Sequence, residues 1–267
     1  MNKFILLMLC VVLLVAPCTN ADAKTKTGST WNDGRLNFYD RSTFETLAPV
    51  GWPWTFYEEF MGSTFDKTVA SEDTNGTWTA IETNLNAAVL LSADGVPGLL
   101  SMAFDSDVNA ARAVIYFGDN ESVSIDDGLM FETRLKVSVA PTLLTSVVIG
   151  LAGADNVDPD TIDSNCWFRI DTGANWKWES DDGTTDDDDN DAGVAVSTSA
   201  YVILRIDATE STAVKFYING AKVGTASMAD LTSTTGKVQP YIAIGKCGGA
   251  GLGTLLVDYI RMWGVRE

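Results

Sequence analysis

Hydrophobic and polar residues alternate along much of this chain with a period of two. Between Leu129 and Val139, one face carries leucine, phenylalanine and valine, and the other carries glutamate, arginine and lysine. The segment Tyr201–Asp207 alternates in the same way. Such alternation is typical of antiparallel strands with one buried face. Since no segment has sustained helical periodicity, we predict an all-β protein.

The clearest turn lies between two apolar runs, Val214–Ile218 and Ala221–Val223. Asn219 and Gly220 separate the runs, and this dipeptide suits a two-residue hairpin because both positions take positive φ. Similar apolar runs with short Gly-, Asp-, Asn- and Thr-containing connections predict strands at 55–60, 76–81, 99–104, 112–117, 146–151, 166–170, 175–179, 238–244 and 254–263. This pattern predicts a two-sheet antiparallel β-sandwich.

The N-terminal residues differ from the rest in composition. Residues 1–23 combine Lys3, an apolar run and small residues around a cleavage site, which predicts a secretory signal. The run is short for a membrane span, so an export signal is favoured over an anchor. Residues 24–53 begin polar and end in proline and glycine, which predicts an extended arm. Residues 54–267 contain no second compositional block and are expected to form one domain.

Charge and composition exclude several functions. The 267 residues include 36 acidic and 18 basic ones, so the net charge is −18. This excess argues against binding to nucleic acid, to anionic lipid and to anionic polysaccharide. The chain has no histidine, which removes Ser-His-Asp and Cys-His nucleophiles and histidine-ligated zinc. Carboxylate-pair chemistry and oxygen-ligated calcium remain.

Three stretches resemble concanavalin A-like jelly rolls of the laminin-G and laminarinase type. They are Gly128–Val137, Val214–Val223 with its Asn-Gly hairpin, and the closing strand Leu256–Trp263. The resemblance covers roughly residues 56–267. It implies a concanavalin A-like jelly-roll fold and does not specify an activity.

A closer resemblance is to uncharacterised jelly-roll proteins of tailed-phage structural gene clusters. It rests on the stretches 38–42, 57–62, 239–246 and 253–259. This similarity implies a virion-associated structural protein that assembles with other virion or cell-surface proteins, or with copies of itself. The export signal is a departure from that group, because phage structural proteins normally assemble in the cytoplasm.

The catalytic pattern of the laminarinases is missing. Their motif has the form Glu-x-Asp-x-x-Glu, which places the acid and the nucleophile on one wall of a cleft. The nearest match begins at Glu179 and Asp181, where Thr184 occupies the place of the second glutamate. We therefore expect a non-catalytic protein, either virion-associated or a secreted carbohydrate-binding module, with a degenerate glycosidase as the less favoured alternative.

Aromatic residues provide the candidate carbohydrate-binding site. Trp176 and Trp178 are two residues apart, so they share one face of a strand, and Trp167 or Tyr201 would extend that surface. Paired aromatic rings on a sheet can stack on sugars, but tryptophans also dominate sandwich cores. Because Asn175, Lys177 and Glu179 occupy the alternate face, burial in the core is the favoured interpretation.

The segment 179–191 holds eight carboxylates in thirteen residues and is interpreted as a loop. Asp187, Asp189 and Asp191 alternate in it and are candidate calcium ligands. A solvated acidic loop is favoured over a metal site. A second acidic group, Asp155 to Asp163, flanks Pro159 in a predicted turn and is a weaker candidate.

Two cysteines, Cys166 and Cys247, follow the predicted signal. In an oxidising compartment such a pair can form a disulfide. Alternatively, both are small buried apolar residues. The sequence favours neither interpretation.

Overall fold

A computed structural model describes residues 27–32, 35–40, 43–50, 52–60, 78–83, 87–91, 98–104, 109–142, 145–171, 173–231, 236–246 and 251–264. Its strands are β1 (Thr27–Asn32), β2 (Arg35–Asp40), β3 (Thr46–Val50), β4 (Trp54–Glu58), β5 (Thr79–Thr83), β6 (Ala87–Leu91), β7 (Leu100–Phe104), β8 (Ala111–Tyr116), β9 (Val123–Ser124), β10 (Leu129–Val139), β11 (Thr145–Ala152), β12 (Asn165–Ile170), β13 (Asn175–Asp181), β14 (Asp186–Ala195), β15 (Val202–Ala208), β16 (Val214–Ile218), β17 (Ala221–Ala226), β18 (Lys237–Lys246) and β19 (Gly253–Gly264). Short 3₁₀ turns cover Ile125–Asp127, Pro159–Thr161 and Ser211–Ala213.

The described strands form two large antiparallel sheets and one small one. The first sheet has the order β17-β16-β15-β10-β19-β7-β6, with β4 also paired to β19. The second sheet has the order β14-β13-β12-β11-β18-β8-β5, with β9 paired to β18. Strands β1 to β3 form the N-terminal sheet. The fold is therefore an all-β, two-sheet sandwich of the jelly-roll type, as the sequence predicts.

The core lies between the two large sheets and is made by alternate residues of their strands. On β10, Phe131, Leu135 and Val137 face inward and are fully buried. Val147 and Ile149 on β11 face them from the other sheet. Burial of these side chains is the main stabilising contribution to the sandwich.

The predicted strands are all present, and the predicted hairpin is confirmed. Asn219 has φ 48° and Gly220 has φ 78°, which is the geometry that a two-residue turn between twisted strands requires. Within the two large sheets, strands β6, β9 and β14 are additional to the prediction. The apolar run of β6 reads without clear alternation, and β14 is too acidic to be recognised from β-propensity.

The segment predicted as an extended arm is in part a small sheet. β1 pairs with β2, and β2 pairs with β3, so backbone N–H and C=O groups of these strands hydrogen-bond to one another. The segment is fastened to the first sheet at Thr46, whose amide and hydroxyl donate to the Glu132 carboxylate. Arg205 donates to the same carboxylate and to the carbonyl of Phe44.

Residues 1–23, predicted to be an export signal, lie outside the described residues. Within the described part of the chain, no helix is long and apolar enough to cross a membrane.

Candidate functional site

The outer face of the second sheet carries a cleft and a network of ion pairs. Its hydrogen-bonded register aligns outward side chains in rows that cross neighbouring strands. The first row consists of Thr83, Arg112, Gly245 and Ser146. The second row consists of Val114, Ala243, Val148 and Arg169. Small residues thus occupy the centre of this face, and arginines lie at its sides.

A third row consists of Tyr241, Gly150 and Trp167. It is covered by the segment 153–164, which connects β11 and β12. Trp167 stacks on Tyr241 with ring centroids 6.2 Å apart. Gly150 makes this possible, since a Cβ at Gly150 would lie 2.6 Å from the Trp167 Cα. Asp155, from the covering segment, pairs with Arg112 and accepts a hydrogen bond from the Tyr241 hydroxyl at 2.8 Å. The third row is therefore buried, and so are Val114, Ala243 and Val148 of the second row. Ser146 and Gly245 of the first row remain partly exposed, and Thr83 is exposed.

An open cleft of about 500 Å³ lies between the segment 153–164 and the first two rows. Its floor is formed by Ser146, Ala243 and Gly245, and its lip includes Val157, which is 81% exposed. The walls carry both signs of charge, from Arg112, Asp158, Asp160, Arg169 and Lys246. This combination of a small-residue floor and hydrogen-bonding walls is typical of a ligand cleft.

Arg169 connects the cleft wall to a charge network on the sheet. Its guanidinium pairs with Asp160 at the cleft, with Asp171 at 2.9 Å and with Glu179 at 3.3 Å. Lys177 continues the network, because its Nζ lies 2.8 Å from both Asp171 and Asp189. Two cations thus serve four carboxylates, which leaves an excess of negative charge.

Glu179 is the buried member of this network. Its carboxylate accepts a hydrogen bond of 2.6 Å from the Trp167 indole. Burial raises the pKa of Glu179 to about 7, and Arg169 and the Trp167 N–H oppose the rise. The Lys177 ammonium lowers the pKa of Asp189, which is the more exposed carboxylate of the two. Glu179 is therefore partly protonated at neutral pH.

The four aromatic residues predicted to bind sugar do not form one surface. Trp176 is 2% exposed and lies in the core between the sheets. Trp178 also packs against this core and stacks on Phe216 at 5.0 Å. Trp167 lies on the outer face, buried under the covering segment, and Tyr201 lies beneath Arg134. The core position of Trp176 and Trp178 is the interpretation that the alternation favours, whereas the segment 153–164 buries Trp167 on the outer face.

The predicted acidic loop is also different in the structure. Asp187, Asp189 and Asp191 lie on β14, an edge strand that pairs with β13. Asp189 is paired with Lys177, and Asp191 accepts hydrogen bonds from the Asn175 amide. Among the described residues, no group of three or more carboxylate, cysteine or histidine side chains has the arrangement of a metal site. The structure therefore does not assemble these three aspartates around one ion.

Cys166 is buried with a free thiol, and burial raises the pKa of that thiol. Cys247 lies outside the described residues. The disulfide between Cys166 and Cys247 therefore stays a prediction.

The cleft residues are not recognisable from the sequence. Arg112, Arg169 and Gly245 come from three strands and have no common motif. Asp158 and Asp160 belong to the acidic group around Pro159, which the sequence places in a turn and not in a cleft wall. The one relevant signal is outward alternation on the strands, and this marks solvent exposure without naming a site.

Comparison with known proteins supports the fold. The structure is similar to that of a protein of unknown function from Shewanella oneidensis MR-1, with a TM-score of 0.52 and 16% identity over 79% of this chain and 86% of that one. It is also similar to the Emp47p carbohydrate recognition domain, with a TM-score of 0.49 and 8% identity over 79% of this chain and 95% of that one.

A third similar structure is the carbohydrate esterase of the Shiga toxin-encoding bacteriophage phi24B, with a TM-score of 0.44 and 13% identity over 71% of this chain and 90% of that one. No protein-family model matches the sequence. No curated protein matches it either. At 16% identity, the similarity to the Shewanella structure supports the fold alone.

Proposed function

We propose that the protein is a non-catalytic carbohydrate-binding protein and that the cleft on the second sheet holds an uncharged glycan. The open floor of Ser146, Ala243 and Gly245 between charged walls is the observation that carries this proposal. A sugar presents hydroxyl groups that both donate and accept hydrogen bonds. Arg169 and Asp160 supply the complementary donors and acceptors side by side on one wall.

The charge of the cleft supports an uncharged ligand. Arg112 is paired with Asp155, and Arg169 is paired with Asp160, Asp171 and Glu179. These cations are already neutralised, and the chain as a whole has a net charge of −18. An acidic glycan would therefore be repelled, whereas a neutral one meets no such repulsion.

The carboxylates of the cleft support binding over hydrolysis. A glycosidase needs two carboxyl groups on opposite sides of the scissile bond. Within the described cleft lining, the carboxylates are Asp158 and Asp160, which belong to one turn. Asp158 accepts from the Asp160 amide at 3.3 Å, and Asp160 is paired with Arg169. Both groups therefore hold the cleft wall in place.

Glycine positions offer a sharp test of this cleft. Gly245 lines the cleft, and a Cβ there would meet nothing within 4 Å, so the backbone leaves room for a side chain to begin at this position. Gly173 has the same open surroundings and lies outside the cleft lining. We expect Gly245→Trp to abolish binding to neutral oligosaccharides on a glycan array and by calorimetry, and Gly173→Trp to retain it. Equal binding by both variants would refute the proposal, and release of reducing ends would refute its non-catalytic part.

A virion-associated role is the second proposal, and its support is the sequence resemblance of 38–42, 57–62, 239–246 and 253–259 to phage jelly-roll proteins. Glycan binding and assembly on a particle are compatible, because a surface protein can attach a particle to a cell. Mass spectrometry of purified particles tests the assignment, and particles that lack the protein would exclude it. Export through residues 1–23 stays a prediction, which N-terminal sequencing of the secreted protein tests.

A further inference from the structure

Phe44 lies on the opposite side of the molecule from the cleft and has two unfavourable features. Its ring is 37% exposed although it is apolar, and its backbone has φ 63°. A phenylalanine with positive φ is strained, because its Cβ crowds the backbone. Strained residues that persist in a fold are concentrated at ligand-binding and other functional positions.

The backbone of Phe44 is hydrogen-bonded at both its amide and its carbonyl, and its ring packs on Gly220. Its amide donates to the Asp40 carbonyl at 2.7 Å, and its carbonyl accepts from Arg205 at 2.9 Å. The ring rests on Gly220, where a Cβ would lie 2.6 Å from the phenyl carbon Cγ. Arg205 is itself fixed by the buried Glu132 carboxylate. An exposed ring that is fixed in this way loses little entropy when a ligand stacks on it.

Two cavities on the outer face of the first sheet share Phe44 as a lining residue. One, of about 200 Å³, is also lined by Tyr39, Tyr217 and Asp207. The other, of about 290 Å³, is also lined by Tyr201 and Asn219, among others. Phe44 is thus the shared wall of two neighbouring subsites.

Hydrogen-bonding groups surround the ring at its edges. Asp207 uses Oδ1 to accept from Thr209, which leaves Oδ2 for a ligand. Asn219 uses Oδ1 to accept from the Ile203 amide, which leaves its amide nitrogen as a donor. Within the described residues the Tyr217 hydroxyl makes no hydrogen bond. Apolar faces with polar groups around them match a pyranose ring, which has an apolar face and hydroxyl groups at its edge.

We propose that Phe44 is the stacking platform of a second glycan-binding site, which takes two consecutive sugar units of an uncharged oligosaccharide. This site is independent of the cleft, since the two lie on opposite sheets. A nucleic-acid strand could also stack on such a ring, but the net charge of −18 opposes it.

Saturation-transfer NMR on the full chain tests the site directly. Aromatic protons are irradiated in the presence of short neutral glucan, mannan and galactan oligosaccharides, and transfer to the sugar ring protons is measured. We expect transfer in the cleft-blocked variant Gly245→Trp and a five- to tenfold loss, as an order of magnitude, when Phe44→Ala is added to it. Leu252→Ala is the matched control, because Leu252 is 38% exposed and lies outside both cavities.

Two further variants distinguish stacking on Phe44 from glycan binding in the cleft. Gly220→Ala places a methyl group against the ring and should reduce transfer without removing Phe44. Gly245→Trp blocks the cleft. Transfer that this variant retains, and that depends on Phe44, therefore comes from the second site and not from the cleft. Absence of aromatic transfer to every oligosaccharide in Gly245→Trp, or unchanged transfer when Phe44→Ala is added to that variant, would overturn the proposal.

Discussion

The Glu132 carboxylate, which has no solvent exposure, accepts hydrogen bonds from both the amide and the hydroxyl of Thr46, at 3.0 and 2.7 Å. Arg205 adds bonds of 2.9 and 2.6 Å, and the Tyr259 hydroxyl adds one of 3.0 Å. A buried carboxylate is costly to desolvate unless it is paired and hydrogen-bonded. Here the pairing joins the N-terminal segment to three strands of the first sheet, β10, β15 and β19.

Replacing Glu132 is expected to destabilise the protein strongly. In Glu132→Ala the Arg205 guanidinium loses its partner in a buried position, and Thr46 and Tyr259 lose an acceptor. We expect the free energy of unfolding to fall by about 3–5 kcal/mol in urea denaturation. Glu59→Ala, at an exposed carboxylate, should change it by less than about 0.5 kcal/mol. Similar denaturation midpoints for the two variants would contradict this role of Glu132.

Gly150 is expected to tolerate no side chain. A Cβ there would lie 2.5 Å from the Cys166 carbonyl oxygen and 2.6 Å from the Trp167 Cα, and these backbone atoms cannot move aside. We expect Gly150→Ala to lower stability by about 1–3 kcal/mol, measured by thermal unfolding. Gly173→Ala is the control, since a Cβ at Gly173 meets nothing within 4 Å. A neutral Gly150→Ala would show that β11 and β12 can separate locally.

The protein should become less stable as the pH rises, because Glu179 is buried. Its pKa is raised by burial from 4.5 to about 7, so the folded protein binds this proton more tightly than the unfolded chain does. The stabilisation is complete below pH 4.5 and is lost as pH rises through 7, with a slope of up to about 1.4 kcal/mol per pH unit. Glu179→Gln should remove this part of the pH dependence in urea denaturation series. Parallel curves for the variant and the wild type would disprove it.

Calcium should stabilise the protein no more than an equal ionic strength of sodium chloride does. Asp189 is paired with Lys177, and Asp191 is hydrogen-bonded to Asn175, so neither is arranged around a shared ion. Thermal melts in EDTA, in calcium and in matched sodium chloride measure the effect. A specific rise in calcium that disappears in Asp187→Asn/Asp189→Asn would restore these residues as a metal site.

Local patterns predicted most of the sandwich. The alternation of Leu129–Val139 matches β10 to the residue, and Asn219-Gly220 marks the β16–β17 hairpin. Both signals depend on neighbours in the chain, because strand faces alternate and turns need particular φ values. Because it uses only such local signals, the sequence predicts a loop at 179–191, where the structure has β14 from Asp186. Its carboxylates oppose strand formation locally, whereas pairing with β13, Lys177 and Asn175 stabilises it in the fold.

The sequence by itself determined the strand periodicity, the hairpin, the acidic charge and the absence of histidine chemistry, since each of these is a property of composition or of adjacent residues. Only the tertiary structure decided which outward faces became sites. Trp176 and Trp178 point toward the opposite sheet, while Arg112, Arg169 and Gly245 meet across three strands. Phe44 meets Gly220 across most of the chain. Such contacts depend on strand order and register, which the chain acquires only when the two sheets pack together.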